Sequence, residues 1–116
     1  MAHQGEDIKF TVKGDDNINL DALNFAVTVY LHCTCDNPKS KVTLYKNQHF
    51  QAVIDESGNN TNTYVGTIPS SDTAAMEEGQ YNMELLTITE DGERSIFQQK
   101  HAFVLECSAS KNIYFE

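Results

Sequence analysis

Tyr64-Val65-Gly66-Thr67-Ile68-Pro69-Ser70-Ser71-Asp72-Thr73-Ala74-Ala75-Met76-Glu77-Glu78-Gly79-Gln80-Tyr81-Asn82-Met83-Glu84-Leu85-Leu86 reads as a strand, a polar crossover ending in glycine, and a second strand opening with tyrosine. Such a corner passes a chain from one sheet to a facing one. Ser71 or Asp72 is placed to cap one helical turn inside it. Buried phenols need a hydrogen-bond partner, so the Gly79-Gln80-Tyr81 step predicts a buried Tyr81 whose hydroxyl bonds the crossover backbone. Gly79 and Tyr81 are therefore the structural corner residues.

Upstream of the corner, Ile8–Lys13 alternates apolar and polar residues, as a strand with one buried face does. Gly14-Asp15-Asp16-Asn17 follows as a turn. Phe25–Cys35 is the strongest strand, with Phe25, Val27, Val29, Leu31, Cys33 and Cys35 on one face. Lys41–Lys46 and Phe50–Asp55 read as two more strands, with Asn47-Gln48-His49 weakly specified between them. Glu56–Asn62 reads as an exposed tip. Downstream, Gln80–Thr89 and Arg94–Glu106 flank Glu90-Asp91-Gly92-Glu93, whose Asp-Gly is a hairpin signal. The two prolines, Pro38 and Pro69, both fall at expected strand ends. This pattern predicts an all-β, immunoglobulin-like β-sandwich of seven to eight antiparallel strands with one short helical crossover. The expected domain is 1–107, followed by a C-terminal tail, 108–116.

With 116 residues, 40% hydrophobic and 22% charged, the chain has the size and composition of one globular domain. No apolar run reaches the ~18 residues of a spanning helix. The start, Met1–Asp7, has neither the basic region nor the apolar segment of a signal peptide. Eight basic residues against 17 acidic ones give a formal charge of −9, which repels phosphate backbones and anionic membranes. Neither nucleic acid nor membrane is an expected partner.

His32-Cys33-Thr34-Cys35, with Cys107 and His101 or His49, raises a metal hypothesis. Zinc ligands usually come as Cys-x₂₋₄-Cys on a turn, whereas this Cys-x-Cys continues a strand on its apolar face, so core or near-core packing is the preferred reading. An inter-sheet disulfide from Cys33 or Cys35 to Cys107 is the alternative, and a Cys33–Cys35 bridge is poorer because strand geometry places the two near the limit of disulfide spacing. No metal or other cofactor is expected. Ser70, Ser71, His49 and His101 fall in no nucleophile–base motif, and the pairs Glu77-Glu78 and Asp15-Asp16 sit in turns, so no catalytic residue is assigned and no enzyme activity expected. Asn59-Asn60-Thr61 matches a glycosylation acceptor and is read as a turn. Tyr30, Tyr45 and Tyr64 are read as packing residues rather than as a sugar-binding platform.

The run Gly66–Leu85 resembles the strand, polar turn, Gly-x-Tyr, strand signature of immunoglobulin-like modules in phage tail and baseplate proteins. Those modules also open with a short strand, a turn and a long strand such as Leu23–Leu31, before a variable acidic middle hairpin. The chain lacks the cysteine–tryptophan–cysteine core of antibody domains, having no tryptophan. The resemblance implies a non-enzymatic structural or assembly part of a phage or prophage virion. Its partners would be other structural proteins or further copies of itself in a homo-oligomer. Its place would be the virion, or the host cytoplasm during assembly. The alternative is an extracellular adhesin-like or carbohydrate-binding β-sandwich module.

Contact with partners is expected through a sheet edge or loop end. The candidate segments are Phe10-Thr11-Val12 and the tail Asn112–Glu116, in which Ile113, Tyr114 and Phe115 are the possible interaction residues. The tail follows a loose Ser108–Lys111 linker, so alone it should be mobile or borrowed by a neighbour. It also resembles a protease-recognition remnant, a pattern from which Ile113 and Glu116 depart.

Overall fold

A computed structural model of the chain describes residues 2–31 and 39–113. Eight strands and two short helices follow one another as β1 (Ala2–His3), β2 (Ile8–Lys13), β3 (Asn24–Leu31), β4 (Lys39–Tyr45), α1 (Lys46–His49), β5 (Phe50–Ile54), β6 (Asn60–Ile68), α2 (Ser70–Ala75), β7 (Gly79–Ile88) and β8 (Arg94–Glu106). The fold is all-β. One sheet has five strands in the order β1-β8-β7-β3-β4, and the other has three in the order β2-β6-β5.

Alternation explains how the two sheets share one core. In β3, Phe25, Val27 and Val29 are buried on one face, and across the ladder they meet Thr87, Leu85 and Met83 of β7. The small sheet contributes Phe50, Tyr64 and Ile68 to the same cluster. Phe25 gives an aromatic contact between the sheets: its ring lies edge-on to Phe50 at 5.1 Å and to Tyr64 at 5.2 Å. Such edge-to-face pairs contribute roughly 0.5–1.5 kcal/mol beyond their buried area. Tyr30, on the other face of β3, is also buried, opposite a buried Asn82.

The β5–β6 and β7–β8 loops are built alike. Thr89 donates its N–H to the Glu93 carbonyl and Gly92 donates back to the Thr89 carbonyl; Asp55, Asn59 and Gly58 repeat the pattern. This is the three-residue loop that closes on a left-handed residue, and Gly92 (φ 87°) and Gly58 (φ 82°) supply it without a Cβ clash.

Four expectations are corrected. First, the strands are not all antiparallel: β1 runs parallel to β8, Ala2 beside Leu105 and His3 beside Glu106. Second, there are two short helices, not one. β4 and β5 lie in different sheets, so α1 is a second crossover where only a weakly specified link was expected. Third, neither Ser71 nor Asp72 caps α2. The cap position is Pro69, whose carbonyl accepts from the Asp72 and Thr73 N–H groups, while the Ser70 N–H is taken by the distant Asp7 carboxylate at 2.7 Å. Proline's fixed φ suits the entry to a helix, and its side chain has nothing to bond. Fourth, Cys107 is neither core nor bridged. β8 stops at Glu106, so Cys107 falls beyond the sheet as an exposed, free thiol. Cys33 and Cys35, and the metal reading of His32–Cys35, lie outside the described residues. Among the described residues, no group of three or more His, Cys, Asp or Glu side chains is placed to hold a metal ion.

Candidate interaction edge

Each sheet ends in one strand on either side of the molecule, and the two sides are finished differently. On one side the end strands are β4 and β5, and α1 joins them covalently. Lys46 of α1 reaches over the core edge. Its ammonium donates to the carbonyls of Leu20 (2.7 Å), Asp21 (3.2 Å) and Leu23 (2.5 Å), and stands 5.5 Å from the Tyr64 ring centre and 5.8 Å from that of Phe25. One lysine thus satisfies the carbonyls of an irregular loop and lies over two core rings. The Tyr64 hydroxyl donates to Asp21. Burial, then that bond and the charge of Asp21, push the phenol up to about 12.

On the other side the small sheet ends in β2 and the large one in the two-residue β1, which covers β8 only at Leu105 and Glu106. Among the described residues, the ties between β2 and β8 gather near one end. Gln4 donates its N–H to the Glu106 carbonyl (2.8 Å) and its side-chain amide to Met76 (2.7 Å). Thr73 accepts from the Gly5 N–H and donates to the Glu6 carbonyl. The His3 ring bridges Glu6 (2.9 Å) and Glu106 (3.3 Å), and hydrogen bonds from His3 hold the Glu6 carboxyl below its ordinary range.

The corner residues lie at this tied end. Tyr81 is fully buried, stacks on Phe103 at 5.2 Å, and donates its hydroxyl to the Glu77 carbonyl at 2.6 Å. Gly79 has φ 145°, and a Cβ there would come within 2.7 Å of Leu31. The tail starts here too. Ser108–Ile113 folds into turns, and Lys111 packs on Gly5 and donates to Gln4 at 3.3 Å, so the expected loose linker is anchored. Ile113 is 61% exposed. Tyr114 and Phe115 lie outside the described residues.

Away from the tied end, β2 and β8 part. Between them opens a cleft of about 330 Å³ lined by Thr11, Val12 and Lys13 of β2, Val27 and Leu85 behind, and Met83 and Phe97–Gln99. Two of the three expected edge residues, Thr11 and Val12, are therefore in it; Phe10 instead packs edge-on to Phe50. The sequence reading missed the β8 side. Ile96 and Phe97 are 59% and 45% exposed although adjacent in a strand, where successive side chains face opposite ways. That adjacency was the available signal: a strand with apolar residues on both faces, outside the core, offers both faces to something else.

A bulge limits the edge. Between the Tyr81–Phe103 and Met83–Gln99 pairs, Asn82 alone faces Lys100–Ala102. His101 takes the left-handed conformation (φ 58°) and donates its N–H to the buried Asn82 side chain at 2.9 Å. Bulges interrupt strand addition, so among the described residues the regular run of unpaired edge is Arg94–Gln99. Compared with known proteins, the chain matches no family model and no curated protein.

Proposed function

We propose that the two sheets form an immunoglobulin-like sandwich and that the protein is a non-enzymatic assembly module of the phage or prophage tail and baseplate kind, acting through contacts with other proteins. Strand connectivity supports the first part. Variable-type immunoglobulin domains put strands B, E and D in one sheet and G, F, C and C′ in the other. Taking β2 as B and β8 as G, the observed orders β2-β6-β5 and β8-β7-β3-β4 follow that division. Tyr81 then stands at the start of strand F, where such domains carry a corner tyrosine, and Met83 holds the place of their second cysteine.

The observation that carries the interaction reading is the apolar cleft beside the Arg94–Gln99 edge, which no strand among the described residues pairs. Open edges are either defended or used, and this one presents Ile96 and Phe97. Co-expression with the products of the flanking genes, followed by mass measurement, tests it. The expected result is a stable species above the 13.0 kDa of one chain. A strict monomer in every combination, or flanking genes without virion functions, would remove the proposal.

A further inference from the structure

We infer that the β2/β8 cleft takes an extended peptide segment of alternating apolar and acidic residues, added as a further strand along the outer edge of β8 in line with β1. This rests on the interaction reading above and names the chemistry of its partner.

The backbone comes first. Thr89 and Glu93 are hydrogen-bonded across the hairpin, and bonded and non-bonded pairs alternate along an antiparallel ladder. Counting from Thr89–Glu93, Arg94, Ile96 and Gln98 turn their N–H and C=O groups away from β7. Among the described residues no strand pairs with them. The same edge already accepts a strand further along, where β1 lies parallel beside Leu105 and Glu106. A segment in line with β1 would continue that pairing past the bulge.

Side chains set the alternation. In an added strand, every second residue would face the gap between the sheets, towards Val12, Val27, Leu85 and Phe97. These positions call for apolar side chains. The residues between them would run outward beside Arg94, with Lys13 at the cleft and Lys100 in the bulge that follows. In a chain of charge −9, neither Ile8–Lys13 nor Arg94–Leu105 contains a carboxylate, while together they hold Lys9, Lys13, Arg94 and Lys100. An acidic residue at the outward positions meets cations from the two edges, and the carboxylate next to them, Glu84 of β7, already accepts from the Gln98 side chain at 2.6 Å. The same charges disfavour a second copy of β8 on this edge: twofold antiparallel pairing centred on Phe97 would set Arg94 opposite Lys100.

Fluorescence anisotropy on the full chain, with a labelled peptide of about seven residues alternating valine and glutamate, tests the assignment. The expected result is saturable binding, with the valine–lysine counterpart weaker by about tenfold or more. Gln98→Pro removes an outward N–H and no backbone bond to β7, losing there only the exposed side-chain bond to Glu84, and should weaken binding by about the same factor. Where that variant disturbs the fold by circular dichroism, Lys13→Glu with Arg94→Glu replaces it and should invert the preference to the lysine peptide. Equal binding of both peptides, no binding of either, or indifference to these variants would overturn the inference, as would concentration-dependent dimers that exclude the peptide. A co-expression complex that survives Gln98→Pro and the charge inversion would remove this cleft and leave the interaction reading standing.

Discussion

Between β4 and β5 the chain itself spans the gap between the sheets, and Lys46 is tied to three carbonyls and two rings there. Between β8 and β2 the ties among the described residues gather at the Gln4–Glu6 end, and the rest is a cleft with Phe97 in its wall and Ile96 on the outer face of the sheet. Both sides use the same sheets and similar alternation. The difference lies in what covers the end strands: a covalent crossover on one side, a two-residue strand and a bulge on the other. A small domain can leave apolar surface open when the layers are clamped elsewhere, and open surface of this kind is where partners attach.

That contrast breaks most visibly on the clamped side. Leu44, in β4 and fully buried, should cost about 2–5 kcal/mol when cut to alanine, read from the urea midpoint, because rigid surroundings collapse poorly into the hole. A loss below about 1 kcal/mol would mean the β4 side is no better packed than the β8 side.

Alkaline pH sharpens the same comparison. The Tyr64 phenol is raised from 10.0 to about 12, so folding favours its neutral form. Its contribution is whole below pH 10 and is lost as the pH rises through about 12. Unfolding measured across that window should show a steeper fall for the native chain than for Tyr64→Phe. Parallel curves would sever the link between Asp21, Tyr64 and the clamped side.

Smaller again is the corner. Tyr81→Phe keeps the stacking on Phe103 and loses the 2.6 Å bond to Glu77, which should cost about 0.5–1.5 kcal/mol. An unchanged denaturation midpoint would show that packing alone holds the tied end. Least of all should change at the open edge, where Ile96→Ser is expected to stay within about ±0.5 kcal/mol, since the side chain is already in water. A large loss would mean that Ile96 supports the monomer, and so is not a surface awaiting a partner.

What could be read in advance was local. The strand at Arg94–Glu106 lies between the expected residues, and the Asp-Gly step marks a loop whose glycine needs a positive φ. The step from Gly79 to Tyr81 announces a buried phenol because few residues need a partner so specifically. Tertiary placement was not legible. Lys41–Lys46 and Phe50–Asp55 look like neighbouring strands because alternation is the same whether two strands share a sheet or face each other. β1, with two residues, is too short to carry a period, and its parallel pairing depends on where β8 ends. Nothing local in the sequence marks Lys46, since its three carbonyl partners come from a loop more than twenty residues away. The edge itself is half legible: Phe10-Thr11-Val12 marks one of its strands, while Ile96 and Phe97 read as part of a long strand like any other.

Amide hydrogen exchange by nuclear magnetic resonance, at protein concentrations where light scattering gives a monomer, tests the open edge most directly. The Val27, Val29 and Leu85 amides, inside the five-stranded sheet, should exchange slowly. The Ile96 and Gln98 amides, turned away from β7, should exchange orders of magnitude faster and become protected when the valine–glutamate peptide is added. Protection of Ile96 and Gln98 equal to that of Leu85 in the isolated monomer would contradict the account, because the edge would then already be closed.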